Sequence, residues 1–362
     1  MRPPGEDRLD RPKPACHGSV SRAQRRKCAT GRVPWPRRDS GVAMRIRSRS
    51  ACPRRKTAVG MAPRRLARGC LRLPAPRYCP FCHNPRRPAL PRRMPADYWT
   101  NKSCVITGGS AGLGLAIAEV LARRGARLLL VGRNAERLAV AAARIPATAA
   151  AVEVCPADVT WQEDVDRLAA TAQEKLGGLD MLCHCAGRST RGGLYDTTPE
   201  DMQQLFDVNC LSAVRLARAL VPSLLTSHGH LVLIGSLASK TALPYLGGYP
   251  ASKHALAAVA QQLRLEFGPQ GLHTLLACPG PIHRDDAGER YAHQADGIPD
   301  SAAKPGGGAK IAAIDPHRLS EQILRACERR RAELIVPRSA KLLFTLAQLS
   351  PRLGDWILRK KT

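Results

Sequence analysis

The sequence lacks the features that mark membrane-spanning and secreted proteins. Its 362 residues contain no apolar run of about 18 or more, which is the length expected of a membrane-spanning helix. The apolar core of a secretory signal peptide is also missing from the first quarter of the chain. We therefore expect neither a membrane span nor a secretory signal.

Cysteine usage does not indicate a disulfide framework. Of 13 cysteines, seven follow residue 93 and mostly lie in apolar, strand-like runs: Cys104, Cys155, Cys183, Cys185, Cys210, Cys278 and Cys327. Free cysteines in such runs behave as small buried hydrophobic residues, and an odd number in a large domain favours a reducing compartment. We therefore predict a cytoplasmic protein.

Acidic residues are scarce in the first 93 residues, which hold 26 lysines and arginines, four acids and 14 of the 29 prolines. The remaining 269 residues hold 31 basic and 25 acidic residues, so most of the net charge of +28 belongs to the first quarter. Such a segment buries too little apolar surface to offset its ordering entropy. We predict that residues 1–96 form a disordered, basic, Pro/Arg-rich extension.

Several interpretations of this extension stay open. Its arginines could bind nucleic acid or an anionic membrane by charge, or its composition could be that of a transit peptide. Cys79, Cys82 and His83 could supply part of a zinc site, although no second Cys-x-x-Cys pair follows at a usable spacing. We favour a fourth interpretation, in which the extension lies upstream of a true start at Met94 or, as second choice, Met61.

From residue 101, short apolar runs alternate with helix-like segments. The predicted strands are 103–107, 127–131, 150–155, 179–184, 230–235, 272–278 and 333–337, and the predicted helices are 115–124, 135–144, 161–176, 199–225, 248–267 and 316–330. This alternation is typical of right-handed β-α-β crossovers and a parallel sheet covered on both faces. We predict an α/β protein with a single Rossmann-like domain, residues 97–340, on a doubly wound parallel sheet of about seven strands.

A glycine-rich turn follows the first strand and opens the first helix. The turn residues that could contact a cofactor are Thr107, Gly108, Ser110, Gly112, Leu113 and Gly114. Glycines there let backbone N–H groups approach a pyrophosphate at the positive end of the helix. The turn predicts a dinucleotide site, although a tight turn without a ligand would show the same pattern.

Two residues that follow later strands bear on the choice of cofactor. Arg133 lies where an acidic residue would bind the ribose 2′-hydroxyl of NAD, so it could pair with a 2′-phosphate or be a solvated arginine. Asp158 could bond the adenine amino group or cap the helix that starts near Trp161. We expect NADP(H) as the preferred cofactor, with NAD(H) as the alternative.

Polar residues also lie at the end of the fourth strand and in a later helix. His184 could be a base or a ligand, but a structural role is the usual one at a strand end. Asn209 is polar within an apolar helix start, so it needs partners and could kink the helix or hold a water. No His/Cys/Asp/Glu group after residue 96 has convincing metal spacing, and we predict no metal site.

A hydroxyl, a phenol and an ammonium group occur together after the fifth strand. Tyr249 and Lys253 are four residues apart, so they share one face of a helix, and Ser236 precedes them. Such groups can polarise a carbonyl and donate a proton to it. The combination predicts a site for carbonyl chemistry.

Over residues 101–337 the sequence resembles the classical short-chain dehydrogenase/reductase family. Its motifs occur in order and at the family spacings, as Thr107-Gly108-xxx-Gly112-x-Gly114, Asp158, Ala186-Gly187, Asn209, Ser236, Tyr249-xxx-Lys253 and Pro279-Gly280. The Cys-Ala-Gly and Gly-Tyr-Pro-Ala-Ser-Lys segments are similar to branches that act on lipids, steroids and 3-ketosphinganine-like ketones. The resemblance implies NADP(H)-dependent interconversion of a ketone and a secondary alcohol.

The resemblance also implies residue roles. Tyr249 would be the general acid/base, Lys253 would lower its pKa and bind the nicotinamide ribose, Ser236 would orient the substrate, and Asn209 would hold a water. Further cofactor contacts are implied at Val159, Cys185, Ala186, Gly187, Pro279, Gly280 and Ile282. A homodimer or homotetramer is implied as well.

The sequence departs from the family pattern at two places. His184 and Cys185 replace the usual asparagine of the Ala-Gly turn, and His283-Arg284-Asp285 follows Ile282 where a threonine is frequent. The cofactor carboxamide would then be bound by the backbone of Ile282 or be held more weakly. A cofactor-binding but catalytically weak regulator is therefore the alternative function, and a nucleic-acid-associated protein rests on residues 1–93 alone, with no nucleic acid expected for the folded domain.

Two further segments complete the predictions. Residues 283–315 have no periodic core and are predicted to form a mobile loop. Residues 341–362 are predicted to form an amphipathic C-terminal helix, which could pack on a subunit, cover a lipid-shaped substrate cleft or make weak peripheral contact with a membrane. We favour packing.

Overall fold

The computed structural model describes residues 97–284, 298–299, 302, 306–308 and 311–361, with the backbone alone for 360 and 361. The extension predicted for 1–96 and most of the loop predicted for 283–315 lie outside these residues.

Seven strands were predicted, and the described residues contain seven. They are β1 (Ser103–Thr107), β2 (Arg127–Gly132), β3 (Ala151–Pro156), β4 (Met181–His184), β5 (His230–Ile234), β6 (His273–Pro279) and β7 (Glu333–Val336). Each neighbouring pair is parallel, and the order in the sheet is β3-β2-β1-β4-β5-β6-β7. The prediction of a doubly wound, Rossmann-like parallel sheet is confirmed.

Helices cover both faces of this sheet. They are α1 (Gly112–Arg123), α2 (Ala135–Ala143), α3 (Gln162–Leu176), α4 (Pro199–Phe206), α5 (Ser212–Thr226), α6 (Tyr249–Phe267), α7 (Pro316–Glu328), α8 (Ala340–Leu349) and α9 (Pro351–Lys361). The strand order reverses between β1 and β4, and ligands of such sheets bind beyond the carboxyl ends of the strands at that reversal.

Two apolar cores lie on the two faces of the sheet. Because side chains alternate along a strand, Leu129 and Val131 pack with α3, α5 and α6, while Leu128 and Leu130 pack with α1, α2 and α7. Strands buried on both faces must be apolar at nearly every position. This explains the uninterrupted apolar runs in the sequence.

The helix predicted over 199–225 is interrupted by a π-helical segment, Asp207–Leu211, between α4 and α5. Within the described part of the chain, Pro199–Thr226 is long and apolar enough, by length and composition alone, to cross a membrane. Half of its most apolar window is buried inside the domain, where Leu216 and Leu220 pack in the core.

The C-terminal segment, predicted as one amphipathic helix over 341–362, forms two helices, α8 and α9. They meet at Ser350, whose backbone is extended, with φ −146° and ψ 106°. The next residue is Pro351, which disfavours a helical conformation of the residue before it and has no N–H to donate. The proline therefore divides the predicted helix.

Two buried histidines pair at the amino-terminal end of the sheet, where sequence spacing shows no cluster. Their nearest ligand atoms and the thiol of Cys327 lie within 4.8 Å of one another. His273 Nε2–H donates to the carbonyl oxygen of Arg331 (2.8 Å), so His230 Nδ1–H must donate to His273 Nδ1 (2.8 Å), and the Tyr98 hydroxyl to His230 Nε2 (2.7 Å). Hydrogen bonds thus occupy all four ring nitrogens, which explains the cluster without a metal.

Candidate active site

The glycine turn after β1 packs directly on the backbone that follows β4. Gly108 has φ +68°, and a Cβ there would lie 3.0 Å from the Ala186 nitrogen. A Cβ on Gly114 would lie only 2.3 Å from the Gly108 oxygen. Both positions therefore require glycine, the first for its conformation and the second for its close approach.

The amino terminus of α1 is suited to a diphosphate. Its N-cap is Ala111, which has no polar side chain to satisfy the first N–H groups of the helix, and its first turn holds no acid. Gly108, Ser110 and Ala111 line a cavity of about 920 Å³. Unsatisfied N–H groups and the helix dipole together favour an anion at this place. The residues present thus fit the phosphates of a dinucleotide.

The cavity extends from the glycine turn to the predicted reacting groups. Of the residues predicted for the site, it is lined by Gly108, Ser110, Leu113, Gly114, Arg133, Cys185, Ala186, Gly187, Ser236, Tyr249, Lys253, Pro279, Gly280 and Ile282. The structure therefore brings together, beyond the carboxyl ends of the strands, residues that are up to about 170 positions apart in the chain.

Lys253 is a buried cation on α6. Its Nζ lies over the Tyr249 ring, 6.0 Å from the ring centre, and donates to the Ile234 carbonyl oxygen at 2.8 Å. Burial, which disfavours the charged form, lowers the pKa of Lys253 to about 8. The turn-to-turn spacing of Tyr249 and Lys253 on one helix face places the ammonium beside the phenol, as the sequence indicated.

Ser236 is held rigidly at the end of β5. It caps the short 3₁₀ turn Leu237–Ser239: its Oγ accepts from the Ala238 N–H (3.1 Å), and its own N–H donates to the Ser239 Oγ (3.1 Å). A hydroxyl that accepts one bond still has its proton to donate. Ser236 can therefore present an O–H group to the cavity.

Asn209 lies in the π-helical segment and is fully buried. Its Oδ1 accepts from the Arg188 N–H (2.8 Å), and its Nδ2 donates to the Arg188 carbonyl oxygen (2.8 Å) and to Ser252 Oγ (3.0 Å). A Cβ on Gly187 would lie 2.9 Å from Asn209 Oδ1 and 3.5 Å from Lys253 Nζ. Asn209 thus fixes the loop after β4 and lies close to Lys253, while its water-holding role stays a prediction.

His184 has a structural position, as expected at a strand end. Ser212 Oγ donates to the Val208 carbonyl oxygen (2.8 Å), so it accepts from His184 Nε2–H (2.9 Å). Nδ1 is then the acceptor for the Thr107 hydroxyl (2.8 Å), which in turn accepts from the Ala186 N–H (3.3 Å). Burial, and secondarily the charge of Lys253, lowers the pKa of His184 to about 3, so the ring is neutral. This network supports the turn that lacks the usual asparagine.

Cationic side chains border the cofactor end of the cavity. Arg133 is well exposed, and its Nη1 lies 4.0 Å from Asp158 Oδ2. Arg284 was noted in the sequence only as a departure from the family pattern, but its guanidinium lies 3.5 Å from the point that a Cβ on Gly112 would occupy. Both arginines line the cavity, and both can attract phosphate.

Five predicted site residues do not line the cavity: Thr107, Gly112, Asp158, Val159 and Asn209. Thr107 uses its hydroxyl within the His184 network. Asp158 Oδ1 accepts from the Thr160 N–H (3.0 Å) and hydroxyl (2.7 Å). The N-cap of α3 is Trp161, so Asp158 closes a turn and is not the helix cap considered as its alternative.

An apolar wall lines the same cavity as the predicted reacting groups, and the sequence does not predict its residues as a group. It includes Leu243, Leu246, Ile311, Leu343, Phe344 and Leu358. Leu343 and Phe344 belong to α8 and Leu358 to α9. The apolar residues of the tail indicate a helix with a buried face, and covering a substrate cleft was one of its predicted roles, but no short-range pattern indicates which distant residues complete the wall.

Comparison with known proteins identifies the class of protein that this fold and site define. The sequence model of the family described as short chain dehydrogenase matches residues 102–295. The chain is 32% identical over 271 residues to Dehydrogenase/reductase SDR family member 7B of Bos taurus, covering 69% of this chain and 79% of that protein. The chain belongs to the short-chain dehydrogenase family and is an oxidoreductase acting on CH–OH or C=O groups.

Two further relatives show the range of these similarities. Glycine betaine reductase ATRR of Emericella nidulans is 33% identical over 246 residues, which cover 67% of this chain but only 19% of that protein. The crystal structure of L-sorbose reductase from Gluconobacter frateurii, complexed with NADPH and L-sorbose, superposes with a TM-score of 0.58 at 27% identity, covering 66% of this chain and 95% of that one. Nicotinamide cofactor use follows from this membership.

We predict that Gly114→Ala lowers the free energy of unfolding by about 1–3 kcal/mol, because the new methyl group would overlap the Gly108 carbonyl and the backbone would have to shift. The matched control is Gly268→Ala: its φ is −55°, and no atom of the described residues lies within 4 Å of its added Cβ. Urea denaturation followed by circular dichroism measures both. Equal losses in the two variants would contradict the close packing.

We also predict that Lys253→Met changes how stability depends on pH. Between pH 8 and 10.5 the unfolded chain binds the Lys253 proton and the folded chain does not, so this lysine makes wild-type stability rise with pH in that window. Below pH 8 the burial penalty is fully present, at about 3 kcal/mol for a shift of this size. Urea midpoints at pH 7 and pH 10 should show the variant more stable than wild type at pH 7, with the gap narrowing at pH 10. A gap that does not change with pH would refute the assignment.

Proposed function

We propose that the protein interconverts a ketone and a secondary alcohol with NADP(H), with Tyr249 as the general acid/base. The observation that carries this proposal is that one cavity holds Ser236, Tyr249 and Lys253 together with an uncapped helix terminus beside the glycine turn. A hydride source and a proton source can therefore reach the same carbonyl.

In the reduction direction, the nicotinamide supplies the hydride when it is bound. The Ser236 hydroxyl orients the carbonyl oxygen toward Tyr249, whose phenol transfers its proton to that oxygen. The buried ammonium of Lys253, 6.0 Å from the ring centre, stabilises the phenolate that is left, because an opposite charge nearby favours the charged form. In the alcohol-oxidising direction the same phenolate accepts the proton.

Asn209 supports this arrangement from outside the cavity. It holds both backbone groups of Arg188 and lies next to Lys253 across Gly187. We propose that a water bound near these groups links Lys253 to solvent, so that a proton is supplied to Tyr249 during reduction and released during oxidation. The cofactor carboxamide would bind at the backbone of Ile282, which lines the same cavity.

The preference for NADP(H) rests on charge at the cofactor end. Arg133 follows β2, and no acidic residue adjoins it in the sequence Gly132-Arg133-Asn134. Arg284 lies near the amino terminus of α1. A guanidinium group can bind a phosphate through two parallel hydrogen bonds. Arg133 would thus pair with the 2′-phosphate and Arg284 with the diphosphate.

The substrate that this cavity suits is apolar beyond its reacting carbon, in keeping with a lipid-like ketone. The wall formed by Leu246, Phe344 and Leu358 offers contact without hydrogen-bond partners. On α8 and α9, Leu342, Leu349 and Trp356 are exposed. We propose that this exposed side makes weak peripheral contact with a membrane from which an apolar substrate would be taken.

We predict that Tyr249→Phe reduces the rate of NADPH-dependent carbonyl reduction by at least ~10²-fold, because the general acid is lost. Binding of NADPH, followed by its fluorescence, should persist. Tyr245→Phe, which alters a half-exposed tyrosine outside the cavity, is the matched control and should retain activity. A screen of ketones of graded chain length with NADPH and NADH provides the assay. Tight NADPH binding with no turnover on that screen would favour the regulator alternative.

We predict that Arg133→Ala weakens NADPH binding by about tenfold, the value of one charge-assisted hydrogen bond, and changes NADH binding by less than about twofold. Arg137→Ala, an exposed arginine on α2, serves as the control for loss of positive charge. Dissociation constants from fluorescence titration give the comparison. Equal weakening for both cofactors would show that Arg133 does not read the 2′-phosphate.

A further inference from the structure

Two cysteines lie side by side at the cofactor end of β4. Because side chains alternate along a strand, Cys183 and Cys185 point to the same side, and their sulfurs are 3.5 Å apart. Cys183 is fully buried in the core, whereas Cys185 is partly exposed and lines the cavity. A reagent in the cavity can therefore contact the Cys185 thiol, whereas the Cys183 thiol is buried beside it.

The surroundings of the Cys183 thiol disfavour its ionisation. The hydrogen bond to Cys185, together with burial, raises the pKa of Cys183 well above its usual range. Cys183 thus stays protonated until its neighbour has reacted. Cys185 is the thiol that meets a reagent first, and Cys183 is placed to resolve the product.

We propose that Cys183 and Cys185 form a redox-reactive dithiol that peroxide closes to a disulfide, weakening cofactor binding. The Cys185 sulfur attacks one oxygen of hydrogen peroxide, which gives a sulfenic acid and releases water. The Cys183 sulfur then attacks the Cys185 sulfur and displaces the hydroxyl group as a second water. Two thiols and one peroxide give one disulfide and two waters, and the two electrons pass from sulfur to the peroxide.

Closure must contract the end of the strand. Residues two apart in an extended parallel strand have Cα atoms about 6.6 Å apart, near the upper limit for a disulfide, which prefers about 5.5–6 Å and needs sulfurs about 2.05 Å apart. The sulfurs must therefore approach from 3.5 Å, and the backbone around His184 must shorten. A disulfide formed under such strain is easily reduced.

The contracted segment is the one on which the glycine turn is seated. The Cys185 N–H donates to the Thr107 carbonyl oxygen at 3.2 Å, and the next N–H, of Ala186, donates to the Thr107 hydroxyl. A Cβ on Gly108 would lie 3.0 Å from the Ala186 nitrogen, so the two backbones are in close contact. Movement of Cys185 therefore displaces the turn that would bind the diphosphate, and a bound cofactor would in turn shield Cys185. Only these two consequences rest on the proposed function.

The dithiol itself can be tested without any activity assay. Trypsin cleavage after Lys175 and Arg188 releases a peptide, residues 176–188, that contains Cys183 and Cys185 and no other cysteine. The full-length protein is treated with hydrogen peroxide, alkylated with iodoacetamide and digested. We expect this peptide to be lighter by two hydrogens and unalkylated, to regain both alkylation sites after dithiothreitol, and to be protected by NADPH present during oxidation. Two alkylated cysteines after peroxide would overturn the proposal.

Variants separate the disulfide from other damage. Cys183→Ala should prevent the disulfide, so that the peptide no longer loses two hydrogens after peroxide and Cys185 is found either alkylated or carrying added oxygen. Cys104→Ala, at an equally buried cysteine of the neighbouring strand β1, should keep a reversible disulfide. If Cys183→Ala fails to fold by circular dichroism, Cys183→Ser replaces it. Loss of the reversible disulfide in Cys104→Ala as well would contradict the proposed pairing.

The functional consequence has its own readout. NADPH fluorescence titration should show at least about tenfold weaker binding by the oxidised wild-type protein, restored by dithiothreitol. Unchanged affinity of the disulfide form would refute the coupling to the glycine turn. Failure of the reduced protein to bind NADPH would refute the proposed function instead, and the peptide result would still decide whether the dithiol forms.

Discussion

The contact between the glycine turn and the backbone after β4 determines where every other part of the site can lie. At the strand-order reversal the chain leaves β1 and β4 in diverging directions. The two strand ends are nevertheless so close that a Cβ on Gly108 would lie 3.0 Å from the Ala186 nitrogen. Thr107 reinforces the contact through its hydroxyl. Because the glycine turn and the backbone after β4 are in direct contact, the cavity opens beyond this contact, between the amino terminus of α1 and the loop that carries Gly187.

From this contact, hydrogen bonds continue to the helix that carries the residues proposed to react. His184 joins Thr107 to Ser212, and Ser212 donates to the carbonyl of Val208 inside the π-helical segment. That segment presents Asn209, which holds Arg188 on one side and Ser252 of α6 on the other. A π-helical turn inserts an extra residue and is frequent at functional sites. Here it places the side-chain amide of Asn209 within hydrogen-bond distance of both the loop after β4 and α6, the helix that carries Tyr249 and Lys253.

The sequence predicts the parts of this arrangement that depend on local pattern. Strand positions follow from apolar runs, the glycine turn from its place between β1 and α1, and the pairing of Tyr249 with Lys253 from helical spacing. Arg284 and the wall of Leu246, Phe344 and Leu358 depend on how distant loops and the tail fold back, which no short-range pattern encodes. The division of the tail at Pro351 is different, because the proline was visible and its effect on Ser350 follows from sterics alone.

The burial of Lys253 has two consequences. It strengthens the proposed effect of the ammonium on Tyr249, and it lowers the stability of the folded protein. An ammonium in water is screened, and at 6.0 Å it would influence a phenol weakly. Inside the domain, with the Ile234 carbonyl as acceptor, the same charge acts through a medium of lower dielectric constant, and its effect on Tyr249 grows as its own solvation is lost. The fold can retain this unfavourable burial because the two apolar cores on either side of the sheet supply the stability that the site removes.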